Sequence, residues 1–137
     1  MQVSPYLFFE GRCEEALEFY KKAVGAEVNS LIRYKDCPDP LPPGMFPPGS
    51  ENKVMNAEFR IGQSKLYASD GRCSGKPVHQ GFSLSVTVAN PAEAGRCFAA
   101  LSDQGQVQMP LGKTFFSPSF GMLTDPFGIE WMVYVAP

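Results

Sequence analysis

An internal repeat constrains this chain more than any other feature. Ala16–Tyr20 and Ala94–Phe98 stand 94 − 16 = 78 positions apart in a chain of 137 residues. Each lies in a stretch with helical periodicity, with one strand-like run before it and three after it. A pattern that recurs at about half the chain length points to two copies of one supersecondary unit. Read in full, the order is β-α-β-β-β, twice. The helices are too few to cover both faces of a parallel sheet, so the expected class is α+β. The organisation expected is one domain over residues 1–137, with module one at 1–70, a linker at 71–80 and module two at 81–137.

Local signals set the elements. Val3–Phe9 is short and apolar and reads as a strand. Glu14–Val24 carries Ala16, Leu17, Tyr20 and Ala23 at one-face spacing, acids in its first turn and lysines in its last. Gly25 is its stop. Glu27–Tyr34 reads as a second strand. In Lys53–Ile61, Met55, Ala57, Phe59 and Ile61 alternate with Asn56, Glu58 and Arg60, and Gly62-Gln63 turns the chain into Lys65–Ser69. Asp70–Gln80 is rich in Gly, Ser and Pro. The second module runs from a strand at Gly81–Val88, with Phe82, Leu84, Val86 and Val88 on one face and Ser83, Ser85 and Thr87 on the other. A helix over Pro91–Ser102 follows, capped by Asn90, with Ala94, Cys97, Phe98 and Leu101 inward. Gln106–Met109 is a short strand, Lys113–Phe116 opens the last hairpin, and Phe120–Thr124 and Ile129–Val135 flank the turn Asp125-Pro126-Phe127-Gly128.

Within module one, between the strands at Glu27–Tyr34 and Lys53–Ile61, lies Asp36–Asn52, with six prolines at Pro38, Pro40, Pro42, Pro43, Pro47 and Pro48. That density admits no regular element. Its apolar tip, Met45-Phe46, makes it either a solvent-facing excursion or a lid.

Composition excludes several classes. The net charge of −2 gives no basic field for phosphates, so no nucleic-acid partner is expected. The run Trp131–Ala136 is far too short to span a bilayer, so no membrane partner is expected. Met1–Glu10 has no basic n-region, and a cytoplasmic location follows as the expectation. Cys13, Cys37, Cys73 and Cys97 form no C-x-x-C pair and read as free thiols. Cys13 and Cys97 are expected to be inert and buried, Cys37 and Cys73 to lie in loops. The one histidine, His79, sits in the linker, where it reads as exposed.

The strand faces away from the helices collect Asn56, Glu58, Arg60, Ser83, Ser85, Thr87, Glu130 and Tyr134. Burying so many polar groups without partners is unfavourable. Either solvent or a ligand-holding cavity satisfies them. Glu130 is a conceivable general base and Arg60 a conceivable partner for an anionic ligand. Trp131, in phase with Ile129 and Val133, reads as core, and Phe115 and Phe116 as a lid or dimer contact. No catalytic residue emerges.

The run from Tyr6 to Tyr20, which contains E-A-L-E-F-Y, the Asp125-Pro126-Phe127-Gly128-Ile129-Glu130-Trp131 ending and the duplicated order together resemble the vicinal oxygen chelate superfamily. That superfamily includes glyoxalase I, bleomycin-resistance proteins and extradiol dioxygenases. Glu15–Tyr20 followed by Gly25-Ala26-Glu27, the Pro-rich loop and Val54–Glu58 resemble its PhnB-like branch, some of whose members carry a demethylubiquinone methyltransferase label. The resemblance implies a glyoxalase/bleomycin-resistance fold, in which the two modules form a curved, cleft-enclosing mixed sheet, and it implies a homodimer. It also implies four metal-ligand positions, usually His and Glu. Carried across, they fall on Pro5, Asn56, Ser83 (or its neighbour Phe82) and Met132. Such a set suits none of the family's metals, because a thioether prefers soft ions and proline offers nothing. No metal and no cofactor are therefore expected, and no G-x-G-x-x-G loop supports a nucleotide-like one. The expectation is a small-molecule binding protein. The alternative is a lyase- or dioxygenase-type metalloenzyme with a relocated site on Glu58 and Glu130.

Overall fold

The computed structural model describes residues 1–39, 42 and 44–137. The prolines of the Pro-rich loop at positions 40 and 43 lie outside the described residues. The chain divides into two compact units, Met1–Pro77 and Val78–Pro137. Each holds one helix and one four-stranded mixed sheet.

In the first unit, β1 (Tyr6–Phe8), α1 (Cys13–Val24), β2 (Glu27–Arg33), β3 (Val54–Ile61) and β4 (Ser64–Ser69) form a sheet of order β1-β4-β3-β2. β1 and β4 run parallel, and the other neighbours are antiparallel. Helix α1 forms where its spacing predicts and ends on Gly25 in the left-handed conformation. It buries Ala16, Leu17 and Tyr20 against the sheet. The Tyr20 ring sits 6.1 Å from Phe9 and stacks on Phe59 at 6.4 Å. Ala57 and Phe59 of β3 face this core, while Asn56, Glu58 and Arg60 take the other face. β1 is shorter than expected, because Val3 is solvent-exposed and only Tyr6–Phe8 find ladder partners.

The unit is tied together by the residue at the head of the Gly-, Ser- and Pro-rich stretch. Asp70 is 1% exposed. One carboxylate oxygen accepts the backbone N–H groups of Gly11 (2.9 Å) and Cys13 (2.8 Å), and the other accepts that of Val54 (2.7 Å). The carboxylate thus sits at the start of α1, where the helix dipole favours an anion, and joins it to the start of β3. The Pro-rich segment is not wholly irregular either. Short 3-10 turns occupy Tyr34–Asp36 and Ser50–Asn52 at its two ends.

In the second unit, β5 (Leu84–Val88), α2 (Pro91–Ser102), β6 (Gln106–Gly112), β7 (Phe120–Thr124) and β8 (Glu130–Val135) repeat the plan, in the order β5-β8-β7-β6. β5 and β8 are parallel. Asn90 caps α2 by accepting the Glu93 N–H at 2.9 Å. Trp131, Val133, Leu123 and Leu101 are buried together with Cys97. Gly105, just beyond α2, packs so tightly that a Cβ would lie 2.1 Å from the Thr124 carbonyl oxygen.

Three expectations fail in and before this unit's strands. Lys113–Phe116 is a turn rather than a strand, closed by the Thr114 N–H on the Ser117 carbonyl. Buried Ser117 anchors it, donating to the Val135 carbonyl at 2.6 Å or that of Ser119 at 2.8 Å. Phe82 precedes β5 and is exposed, its ring edge-on to His79 at 6.3 Å. His79 itself is half-buried.

A second buried carboxylate organises this unit. Asp125 accepts N–H bonds from Phe127 (2.9 Å), Ile129 (3.0 Å) and the Trp131 indole (2.9 Å). Replacing either aspartate by alanine leaves three N–H donors without their acceptor. Bonds to charged acceptors contribute about 1.5–3 kcal/mol each. Asp70→Ala and Asp125→Ala should each lower the unfolding free energy by about 3 kcal/mol or more. Exposed Asp103→Ala should stay within about 0.5 kcal/mol. Urea denaturation of the three variants checks this.

Candidate functional site

In the first unit the face of the sheet away from α1 is built by strand parity. Register pairs Tyr6 with Tyr67, Glu58 with Tyr67, and Ile32 with Asn56, which places all of them on that face. The Tyr6 and Tyr67 rings stack at 6.0 Å and 11°, and Phe8 lies 5.0 Å from Tyr6. The Tyr6 hydroxyl donates to the Asn56 side-chain carbonyl at 3.0 Å. Beyond this aromatic end the face turns ionic. Glu58 accepts from Asn29 at 3.3 Å and lies 3.8 Å from the Lys65 ammonium. Arg60 is engaged by Glu27 at 2.9 Å. Asn56, Glu58 and Arg60 are therefore gathered as expected. Tyr6, Phe8 and Tyr67 belong with them and were missed. The signal was available, because Tyr67 falls out of phase with core Leu66 and Ala68.

The second unit's open face carries Ser85 opposite Met132, Thr87 opposite Tyr134, and Glu130 opposite Thr124. Gln108 donates its amide N–H groups to Thr124 at 2.9 Å and Glu130 at 3.3 Å. Phe116 stacks on Tyr134 at 6.3 Å and meets Phe120 at 5.1 Å. Phe115 rests edge-on against Phe116 and is otherwise wholly exposed. Ser83 is half-buried and lies ahead of β5. Phe120, Met122 and Met109 complete this face. They were not anticipated, because only the register of β6, β7 and β8 brings them to it.

Concave space lies elsewhere in the first unit. A pocket of about 270 Å³ is walled by Glu10–Arg12, Pro47–Ser50, Lys53, Cys73 and Gly75. Another, of about 360 Å³, borders Glu14, Arg33, Asn52 and Asp70. Glu10 and Cys73 both hold left-handed backbone, with φ of 52° and 57°. Burial pushes the Cys73 thiol up, against a lowering hydrogen bond from Ser50, so the thiol is protonated at neutral pH. Burial pushes the Cys13 thiol up further. The Arg33 fork bonds Glu14 at 2.7 and 2.9 Å and holds its carboxyl below the usual range. Neither pocket contains any of the residues expected from the sequence.

The four positions implied for metal ligands hold an exposed proline, an asparagine occupied by Tyr6, a serine and a methionine. That donor set does not fit a hard or borderline divalent ion. Among the described residues, no group of three or more His, Cys, Asp and Glu side chains stands ready to share one ion. Glu58 and Glu130 lie in different units, each engaged by neighbours in its own. Among the described residues, no helix is long and apolar enough to cross a membrane.

The fold and its two open sheet faces define a glyoxalase/bleomycin-resistance-type protein. Residues 1–134 match the family described as 3-demethylubiquinone-9 3-methyltransferase, and the chain belongs to it, in its PhnB-like branch. It is 34% identical to Protein YjdN of Escherichia coli (strain K12), over 98% of this chain and 95% of that one. Among solved structures it is similar to protein PA1353 from Pseudomonas aeruginosa, with 38% identity, TM-score 0.84 and 99% and 98% of the two chains covered. It is also similar to the putative 3-demethylubiquinone-9 3-methyltransferase, PhnB protein, from Bacillus cereus, with 30% identity, TM-score 0.76 and 99% and 100% covered. A glyoxylase/bleomycin resistance protein/dioxygenase domain from Frankia sp. EAN1pec shares the fold alone, at 12% identity and TM-score 0.69 over 99% and 95% of the chains.

Tyr34 supports the wall of the first unit. It is buried, donates its hydroxyl to the Gly71 carbonyl and packs 4.7 Å from Phe46 of the Pro-rich segment. Burial pushes its phenol from 10.0 to about 12. The folded state then keeps a proton that the unfolded chain releases, so the stability Tyr34 confers is full below pH 10 and is lost as pH rises toward 12. Tyr34→Phe should cost about 1 kcal/mol at neutral pH. The gap between the two proteins should narrow through that alkaline interval, as urea midpoints against pH would show.

Proposed function

We propose that this chain is a small-molecule binding protein that works without the family's metal site. The observation that supports this is the aromatic surface of the first sheet. Tyr6 and Phe8 are 41% and 51% exposed, yet Tyr6 is stacked on Tyr67 and bonded to Asn56, and Phe8 packs against Tyr6. Preformed apolar surface beside a few fixed polar groups is what a flat, partly aromatic ligand requires. Asn56, Glu58 and Arg60 would set its orientation. Ser83, Ser85, Glu130, Met132 and Tyr134 are the corresponding candidates in the second unit. Methyl transfer is not carried over from the family description. No G-x-G-x-x-G follows a strand, and each four-stranded sheet carries one helix instead of the doubly wound layers that hold nucleotide-like cofactors. The reading includes a cytoplasmic homodimer, in keeping with the wholly exposed Phe115 and four unbridged thiols.

The test is a thermal-shift screen of planar aromatic acids, amines and phenols. A compound present at a hundred times its dissociation constant should add about 2.7 kcal/mol of stability. That gain should vanish in Tyr67→Ala and persist in Arg96→Ala. Hits that bind Tyr67→Ala equally well would sink the proposal, as would a screen without hits. The protein should also stay substoichiometric in metal after soaking in Ni, Zn, Mn or Fe(II). A full equivalent, lost on Glu58→Ala or Glu130→Ala, would establish the metalloenzyme instead.

A further inference from the structure

Half of the chain's six methionines stand in one row on the open face of the second sheet. Met109 of β6 is the register partner of Met122 of β7, and Met122 is the partner of Met132 of β8. Partners directly opposite share a face, and Met109 holds this pairing between register shifts on either side of it in β6. That face is the open one, because Trp131 and Val133, on either side of Met132, are buried in the core. The three methionines therefore do not fill the interior, which is the usual work of this side chain. Met109 is 45% exposed, and the other two are half-buried.

The geometry suits a cation that takes few, soft donors. Adjacent strands lie about 4.8 Å apart, so the outer two backbones of the row are separated by roughly 10 Å. A methionine has three rotatable bonds beyond its Cα, enough for Met109 and Met132 to lean over Met122 from either side. Three thioethers would then converge on one point above the sheet. Thioethers bind hard and borderline divalent ions poorly and select Cu(I). The flanks add to this. On one side the row borders the Phe120–Tyr134 pair, whose ring faces favour a nearby cation and limit water. On the other it borders Glu130, whose carboxylate offsets a single positive charge. Nothing in the row offers an imidazole or thiolate, so a divalent ion gains little there.

We propose that Met109, Met122 and Met132 form a thioether site for Cu(I). The proposal does not rest on the small-molecule reading. Its test uses the full chain carrying methyl-labelled methionine, titrated with Ag(I) as the redox-inert probe and then with Cu(I) without oxygen. Thiolates compete for both ions, so the half-buried Cys37 and Cys73 are replaced as Cys37→Ser and Cys73→Ser, while Cys13 and Cys97 are 0% and 2% exposed. The methyl resonances of Met109, Met122 and Met132 should move together and saturate at one ion per chain, and those of Met1, Met45 and Met55 should not. Met122→Leu conserves volume and should keep the second unit folded, read from an unchanged fluorescence of Trp131, the chain's single tryptophan and buried in that unit. It should weaken Ag(I) by at least the roughly 10–100-fold that disturbing an outer-shell partner costs. No response, a response spread over all six methyls, or unaltered affinity in Met122→Leu overturns the site.

Discussion

Each unit of this protein hangs on one buried carboxylate. Asp70 and Asp125 are 1% and 3% exposed, and each accepts three N–H bonds at 2.7–3.0 Å. In a low-dielectric interior an anion is tolerated only when donors surround it, and donors are satisfied most fully by an anion. The dependence is therefore mutual. Asp70 joins the adjoining turn after β1 and first turn of α1 to the start of β3, two regions distant in sequence. Asp125 fixes the β7–β8 turn and, through the Trp131 indole, the phase of β8. Once these points are set, the parity of every strand beside them is set as well.

Parity is what converts fold into site. A shift of one residue in β3 would bring Ala57 and Phe59 to the open face and send Asn56 and Glu58 into the core against Tyr20. The same shift in β8 would exchange Met132 and Tyr134 for Trp131 and Val133. The open faces owe their chemistry to positions that carry no core packing, so their residues can differ without disturbing the fold. The likeness of fold to the Frankia domain at 12% identity is consistent with that separation.

Much of this was legible in the sequence, and what escaped has a common physical cause. Helices α1 and α2, the Gly25 and Asn90 caps and the alternation in β3 and β8 are local patterns, and each was found where the sequence put it; the end of α2, expected at Gly105, falls at Asp103. The acid that anchors α1 was not found, because Asp70 lies in a Gly-rich segment 57 positions from Cys13. The Asp125-Pro126-Phe127-Gly128 turn was visible as a turn, but the reach of Asp125 to Trp131 was not. Val3 reads as strand on composition, yet it finds no partner, since the parallel pairing with β4 spans only Tyr6–Phe8. On the open faces, Asn56, Glu58 and Tyr134 followed from alternation, and Met132 from the family resemblance. The Tyr6–Tyr67 stack and the row from Met109 to Met132 depend on which strands are neighbours. That information lies in the ladder and not in any window of residues.

The order of the strands also explains why the two open faces differ in chemistry. In the first sheet β1 is an edge strand beside β4, so the aromatic pair Tyr6 and Tyr67 lies toward one edge, and the charged residues of β3 and β2 follow across the face. In the second, β8 and β7 are the central strands. Their open-face residues, Met132, Tyr134, Phe120 and Met122, therefore form a soft, polarizable centre, with Glu130, Thr124 and Gln108 as the polar end. An ion or molecule that gains from charge and directional hydrogen bonds is served by the first arrangement. One that gains from polarizability is served by the second. Duplication thus supplied two copies of one scaffold, and the side chains at matching parity positions have given them different chemistry.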